Sequence, residues 1–115
     1  MSTRAFELPA EINQEQEDRL DEWLRALLWD EMVLFPDGNL EGTVDVHRTK
    51  GRICVNGKTK FIQGVRKVFE IFDDPNGGAS DGVSGPGKLV LIGRGLRDVD
   101  FQKSLDWFVV EGNRN

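Results

Sequence analysis

Between Thr43 and Phe72 the hydrophobic pattern has a period of two. "TVDVHR" (43–48), "RICV" (52–55) and "KFIQGVRKVFEIF" (60–72) are rich in Val, Ile and Phe and are separated by very short breaks. Alternation of this kind predicts strands, and breaks too short for a crossover predict that neighbouring strands run antiparallel. Asn56-Gly57 is the strongest two-residue hairpin signal in the chain, because a type I′ turn takes positive φ at both central positions. The Lys50-Gly51 break is read as a second tight hairpin. Closed there, it sets Thr49 opposite Arg52, His47 opposite Cys54 and Asp45 opposite Asn56. The third segment is long for one strand, and Gly64 within it predicts a bend or bulge.

The flanking segments supply the rest of the fold. "RAFELP" (4–9) alternates and stops at Pro9, which predicts a short strand. Leu20, Trp23, Leu24, Leu27 and Leu28 then recur with helical spacing, with Glu17, Asp18, Arg19, Asp21, Glu22 and Arg25 on the other side. Asn13 is the expected N-cap with Gln16 at N3, and Pro36 with Asp37-Gly38 is expected to end the helical region in a turn. "DDPNGGASDGVSGPG" (73–87), with five glycines and two prolines, reads as a flexible surface loop. "KLVLIGR" (88–94) predicts an apolar, central strand. "DVDFQKSLDWFVV" (98–110) predicts a second helix capped by Asp98 or Asp100, with Phe101, Leu105, Phe108 and Val109 on its buried face. The expected architecture is α+β: one domain over residues 1–115, a mainly antiparallel sheet of about five strands, and two helices packed on one face.

Charge narrows the function. Twenty acidic against fifteen basic side chains give a formal charge of −5, which argues against nucleic acid as a partner, since that affinity comes largely from Lys and Arg on phosphates. The charges are uneven, however. Residues 47–67 contain Arg48, Lys50, Arg52, Lys58, Lys60, Arg66 and Lys67 with no Asp or Glu, a run that reads first as solvated residues on the outer side of a sheet and alternatively as a local basic face. No apolar run approaches the ~20 residues that span a bilayer, the first residues lack the apolar core of a secretory signal, and Cys54 is the only cysteine. A cytoplasmic setting without membrane contact is the expectation.

Three stretches mimic functional motifs. "GRICVNGKT" (51–59) has one residue too many for a P-loop, and its Ile53, Cys54 and Val55 are strand formers where a phosphate-binding loop should open a helix. Lys58 and Thr59 are therefore expected in strand contacts. "LVLIGRGLRD" (89–98) begins like a dinucleotide fingerprint, but Asp98 stands where its third glycine belongs. Gly93 and Gly95 are better explained by a sharp strand-to-helix turn. Asp45, His47 and Cys54 would share one side of a hairpin closed at Lys50-Gly51, making them weak candidates for a metal site. With one His, one Cys and no Tyr, no catalytic set can be singled out.

Read together, "VDVHRTKGRICVNGKTKFIQGVRKVFEIFDD" (44–74) and "KLVLIGRGL" (88–96) resemble the C-terminal domain of the CobW family. The branch they are most similar to is that of the zinc-chaperone GTPases. The resemblance rests on Arg48-Thr49-Lys50-Gly51, on Ile62-Gln63-Gly64-Val65, on Leu89 to Leu96 and on "LLWD" (27–30). It implies a module that follows a separate G domain, where the P-loop, the GTP and magnesium site and a Cys-x-x-Cys zinc motif reside. None of those motifs has matching positions here, so no catalytic or cofactor-binding residue carries over and this chain alone is not expected to be an enzyme. The implied role is a non-catalytic interaction or regulatory module of a GTPase metallochaperone that delivers zinc. Its implied partners are a CobW-type G domain, in cis or trans, and a client metalloprotein. Arg48, Lys50, Gln63 and Arg94 are the partner-binding candidates, with Gly51, Gly64, Gly93 and Gly95 as backbone requirements. The alternative is a stand-alone metal carrier using Asp45, His47 and Cys54.

Overall fold

In the computed structural model, which describes residues 1–74 and 86–113, the chain runs β1 (Ser2–Leu8), α1 (Gln14–Asp30), β2 (Met32–Val33), β3 (Leu40–Glu41), β4 (Asp45–Val55), β5 (Lys58–Val65), β6 (Val68–Asp73), β7 (Gly87–Arg94) and α2 (Phe101–Leu105), the last continuing as a π-helical turn over Asp106–Val110. Five strands form one sheet in the order β1-β7-β4-β5-β6, antiparallel throughout, and β2 pairs with β3 in a separate short hairpin. This is the α+β fold expected from the period change. Residues 75–85, most of the predicted loop 73–87, lie outside the described residues; Asp73 and Gly87 at its ends belong to strands.

The helices cover one face of the sheet. Asn13 caps α1 with a reciprocal pair of bonds: its Oδ1 accepts from the Gln16 amide, and its own amide donates to Gln16 Oε1, each at 2.8 Å. Leu20, Trp23, Leu24, Leu27 and Leu28 are all buried, as the helical stripe requires. Asp100 caps α2 by accepting from the Lys103 amide, and Phe101, Leu105, Phe108 and Val109 are buried with it. At the centre Phe6 stacks on Phe101 at 5.6 Å and meets Trp23 edge-on at 6.1 Å, so β1, α1 and α2 share one aromatic cluster. The π-helical turn leaves carbonyls that α1 satisfies from its side: Arg19 Nε donates to Val109 O and Gln16 Nε2 to Val110 O.

Helix α1 ends sooner than expected. Glu31 takes the left-handed conformation at φ 51°, and the chain turns at once into the β2–β3 hairpin, whose loop holds Pro36 and Asp37.

Three strand expectations are corrected. The Asn56-Gly57 turn forms as predicted, with φ of 50° and 86° and Val55 opposite Lys58. Lys50-Gly51 forms no hairpin: β4 runs unbroken through it, the middle strand of the sheet. The reason is lateral packing, since a Cβ on Gly51 would lie 2.8 Å from the Lys88 carbonyl oxygen and 3.0 Å from Leu89 Cδ1. Glycine there answers to the approach of β7. The long strand predicted over 60–72 is two strands, β5 and β6, joined at Arg66-Lys67 with Val65 opposite Val68. Its register runs without a bulge through Gly64, whose missing side chain leaves room for Phe69, 3.0 Å from where a Cβ would stand. The irregularity lies instead in β4, where the register against β7 shifts between Val46 and Arg48. That bulge lets Val46 and Thr49, an odd number of positions apart, both face the core.

Candidate docking face

With both helices on one side, the opposite face of the five-stranded sheet has no second layer among the described residues. Its composition follows from register. Arg48 lies between Val65 of β5 and Ile92 of β7, Lys50 between Gln63 and Val90, and Arg52 between Phe61 and Lys88. Residues directly opposite in an antiparallel pair share a face, so these nine side chains form one grid. Its cations are spaced about 7 Å apart along β4. Arg48, Lys50, Gln63 and Lys88 are exposed, and among the described residues none of Arg48, Lys50, Arg52 or Lys88 is ion-paired. Beside them stand apolar side chains in contact with solvent: Val65 is 52% exposed and Val68 77%. Phe61 and Phe72 pair at 6.0 Å on the same face.

The structure thus brings three of the four partner-binding candidates, Arg48, Lys50 and Gln63, side by side, and the correction at Lys50-Gly51 is what does so. Arg94 stands apart. It pairs in register with Asp45 at the end of β7, about 13 Å along that strand from Val90, the neighbour of Lys50. Asp45 itself is already engaged: its Oδ2 lies 3.1 Å from His47 Nε2 and its Oδ1 3.4 Å from an Arg66 guanidinium nitrogen. Gly93 and Gly95 act as backbone requirements, since a Cβ on either would collide with the Asp45 or Thr43 carbonyl oxygen.

The proposed juxtaposition of Asp45, His47 and Cys54 does not occur. With no hairpin at Lys50-Gly51, His47 and Cys54 lie on the same strand, about 23 Å apart, and Cys54 faces Thr59. Among the described residues no group of three or more His, Cys, Asp or Glu side chains is placed to hold a metal ion. Lys58 and Thr59 sit in the β4–β5 ladder, which removes the P-loop likeness. Lys88, Val65 and Val68 were not singled out from sequence; the signal was their alternation once the bulge resets the phase of β4.

Residues 1–109 match the family described as the cobalamin synthesis protein cobW C-terminal domain. The chain belongs to this family. Among solved structures it is similar to the Zn(II)-bound YjiA GTPase from E. coli, with a TM-score of 0.59 and 17% identity over 99% of this chain and 30% of that one. A Zn(II)-bound triple mutant of YjiA GTPase gives a TM-score of 0.58 and 18% identity, over 90% of this chain and 28% of that one. At such identity the likeness is one of fold. No curated protein sequence matches the chain. This cobW C-terminal domain therefore spans less than a third of the length of the GTPases it resembles, and its 115 residues include no G domain. No helix of the described residues is long and apolar enough to cross a membrane.

Proposed function

We propose that this cobW C-terminal domain is the non-catalytic interaction module of a CobW-type GTPase, and that the uncovered sheet face is where it meets its partner. The observation that carries the reading is the row of cations without an ion partner among the described residues, Arg48, Lys50, Arg52 and Lys88, interleaved with exposed aliphatic side chains on a chain of net charge −5. A surface that opposes the net charge of its own chain attracts an acidic partner and sets its orientation, while the apolar neighbours supply the contact area. On this reading the partner is a G domain in cis or trans, or a client metalloprotein that receives the metal. GTP, magnesium and zinc are handled outside these residues, and Arg94 contributes at the margin of the face.

Association with a CobW-type G domain, followed by calorimetry, tests the reading. Arg48→Ala/Lys50→Ala should weaken it by roughly tenfold or more, because two charges are lost from the centre of the face. Equal affinity of the double variant and the parent would remove these residues from the interface.

A further inference from the structure

The two edges of the sheet are treated differently. At the β1 edge the backbone of Glu7 is capped from both sides by one side chain: its amide donates to Gln102 Oε1 at 2.8 Å, and its carbonyl accepts from Gln102 Nε2 at 2.7 Å. At Glu7 that edge is covered by α2. The β6 edge has no such cover among the described residues. The Asp74 amide donates to Thr59 O at 3.1 Å, which sets the phase of the ladder: Val68, Glu70 and Phe72 direct their backbone groups at β5, and Phe69 and Ile71 direct theirs outward. The strand itself, "VFEIFD", has neither proline nor lysine nor a bulge, the usual devices that discourage a further strand.

Beneath this edge runs a groove of about 300 Å³, walled by α1 and floored by Phe69 and Ile71. Both floor residues are only partly buried, whereas Ile62, directly opposite Ile71 on β5, is fully buried. The core-facing side chains of the edge strand are left half-covered, short by the width of one strand. Trp29 stands at the end of the groove, 49% exposed, with Nε1 donating to Lys67 O at 2.7 Å. The walls are acidic. Glu17 is neutralised by Lys60 and Asp21 by Arg25, whereas Asp18 has no cation partner among the described residues, and neither has Glu70, which stands opposite Gln63 and so directs its side chain to the outer side of the β6 edge.

We propose that the free edge of β6 and the groove below it accept an extended, Lys- or Arg-bearing segment of a partner protein as a sixth strand. Main-chain bonds to Phe69 and Ile71 hold it, and alternate side chains fill the groove. Apolar residues of the segment cover Phe69 and Ile71 in the groove, and the basic residues that alternate with them fall on the outer side, beside Glu70. A second copy of this chain fits poorly, because the two-fold register that pairs Phe69 with Ile71 sets the Glu70 side chains of both copies face to face. The edge lies two strands from the cations of β4 and attracts the opposite charge.

The probe is the synthetic peptide acetyl-Lys-Val-Lys-Val-Lys-Val-Lys-amide, with its all-Glu counterpart as control, added to the full 115-residue chain. Hydrogen exchange at the Phe69 and Ile71 amides should slow by about tenfold or more with the Lys peptide, and the Glu peptide should leave it unchanged. Glu70→Lys, which breaks no ion pair among the described residues, should weaken binding by about fivefold or more, and Arg48→Ala/Lys50→Ala should leave it as it was. Unaltered exchange at about 1 mM peptide, or equal binding of both peptides, overturns the proposal. Concentration-dependent protection of the same amides without peptide also overturns it, in favour of self-pairing.

Discussion

Ser104→Ala tests whether a single buried hydroxyl joins three parts of the fold. Ser104 lies on α2 with no exposed surface, accepts from Trp23 Nε1 of α1 at 2.9 Å, and donates to the carbonyl of Leu34, just after β2. Alanine removes both bonds and fills neither. The Trp23 indole N–H, on a side chain only 1% exposed, is then stranded without an acceptor, at about 1–3 kcal/mol. The Leu34 carbonyl is half-buried and can turn to water, so its loss is the net worth of one bond, about 1 kcal/mol. Alanine recovers about 0.5 kcal/mol of helix propensity over serine. The balance is a loss of about 1.5–3.5 kcal/mol, which at a urea slope of about 1.5 kcal/mol/M moves the midpoint down by roughly 1–2.3 M. Far-UV circular dichroism follows the transition without depending on tryptophan emission. The decisive control is the same change in a Trp23→Phe background: with no indole N–H to strand, the cost should shrink by about 1–2 kcal/mol. A loss under about 0.5 kcal/mol, or an equal loss in both backgrounds, would refute the linkage.

Two further substitutions probe β4. Thr49 is 1% exposed and its hydroxyl has no hydrogen-bond partner among the described residues, so Thr49→Val should stabilise by about 1–2 kcal/mol in the same urea titration; a destabilised variant would mean the hydroxyl is satisfied. Gly51→Ala should cost about 1–3 kcal/mol by forcing β7 outward, read as a lowered melting temperature together with faster hydrogen exchange at the Leu89 amide; a neutral effect would count against the continuous strand.

What could be read from sequence was local. The Asn56-Gly57 turn, the Asn13/Gln16 cap and the two helical stripes are each set by residues within a few positions of one another, and each is in place. Lys50-Gly51 and Arg66-Lys67 were misread in opposite directions for one reason. A glycine marks a turn only when nothing else requires it, and β7, far along the chain, requires Gly51 to be small. Conversely, Arg66-Lys67 carries none of the usual turn residues. Its geometry is held from outside, by the Arg66 amide donating to His47 O and by Trp29 donating to Lys67 O, while Arg66 takes a φ of 56° that a non-glycine residue adopts at some cost. The docking face shows the same division. Arg48, Lys50 and Gln63 were named through family likeness. That Lys50 and Gln63 are neighbours, and that Lys88, Val65 and Val68 join them, depends on pairings settled only when the strands assemble.

The charge distribution gives the two surfaces a joint consequence. The outer grid is cationic on an acidic chain, and the groove at β6 is lined by the acidic flank of α1, so partners of opposite sign are drawn to the two places. Both associations should weaken with added salt, since both rest partly on exposed charges. Charge reversal separates them. Lysine at Glu70 adds to the cationic character of the outer side, so it should leave an acidic partner on the outer grid bound or bind it more tightly while expelling a basic strand from the β6 edge. A G domain held only by the grid and a segment held only by the groove can therefore be lost one at a time, and a partner lost with either variant must span both, crossing β6 from the exposed Val65 and Val68 to Trp29.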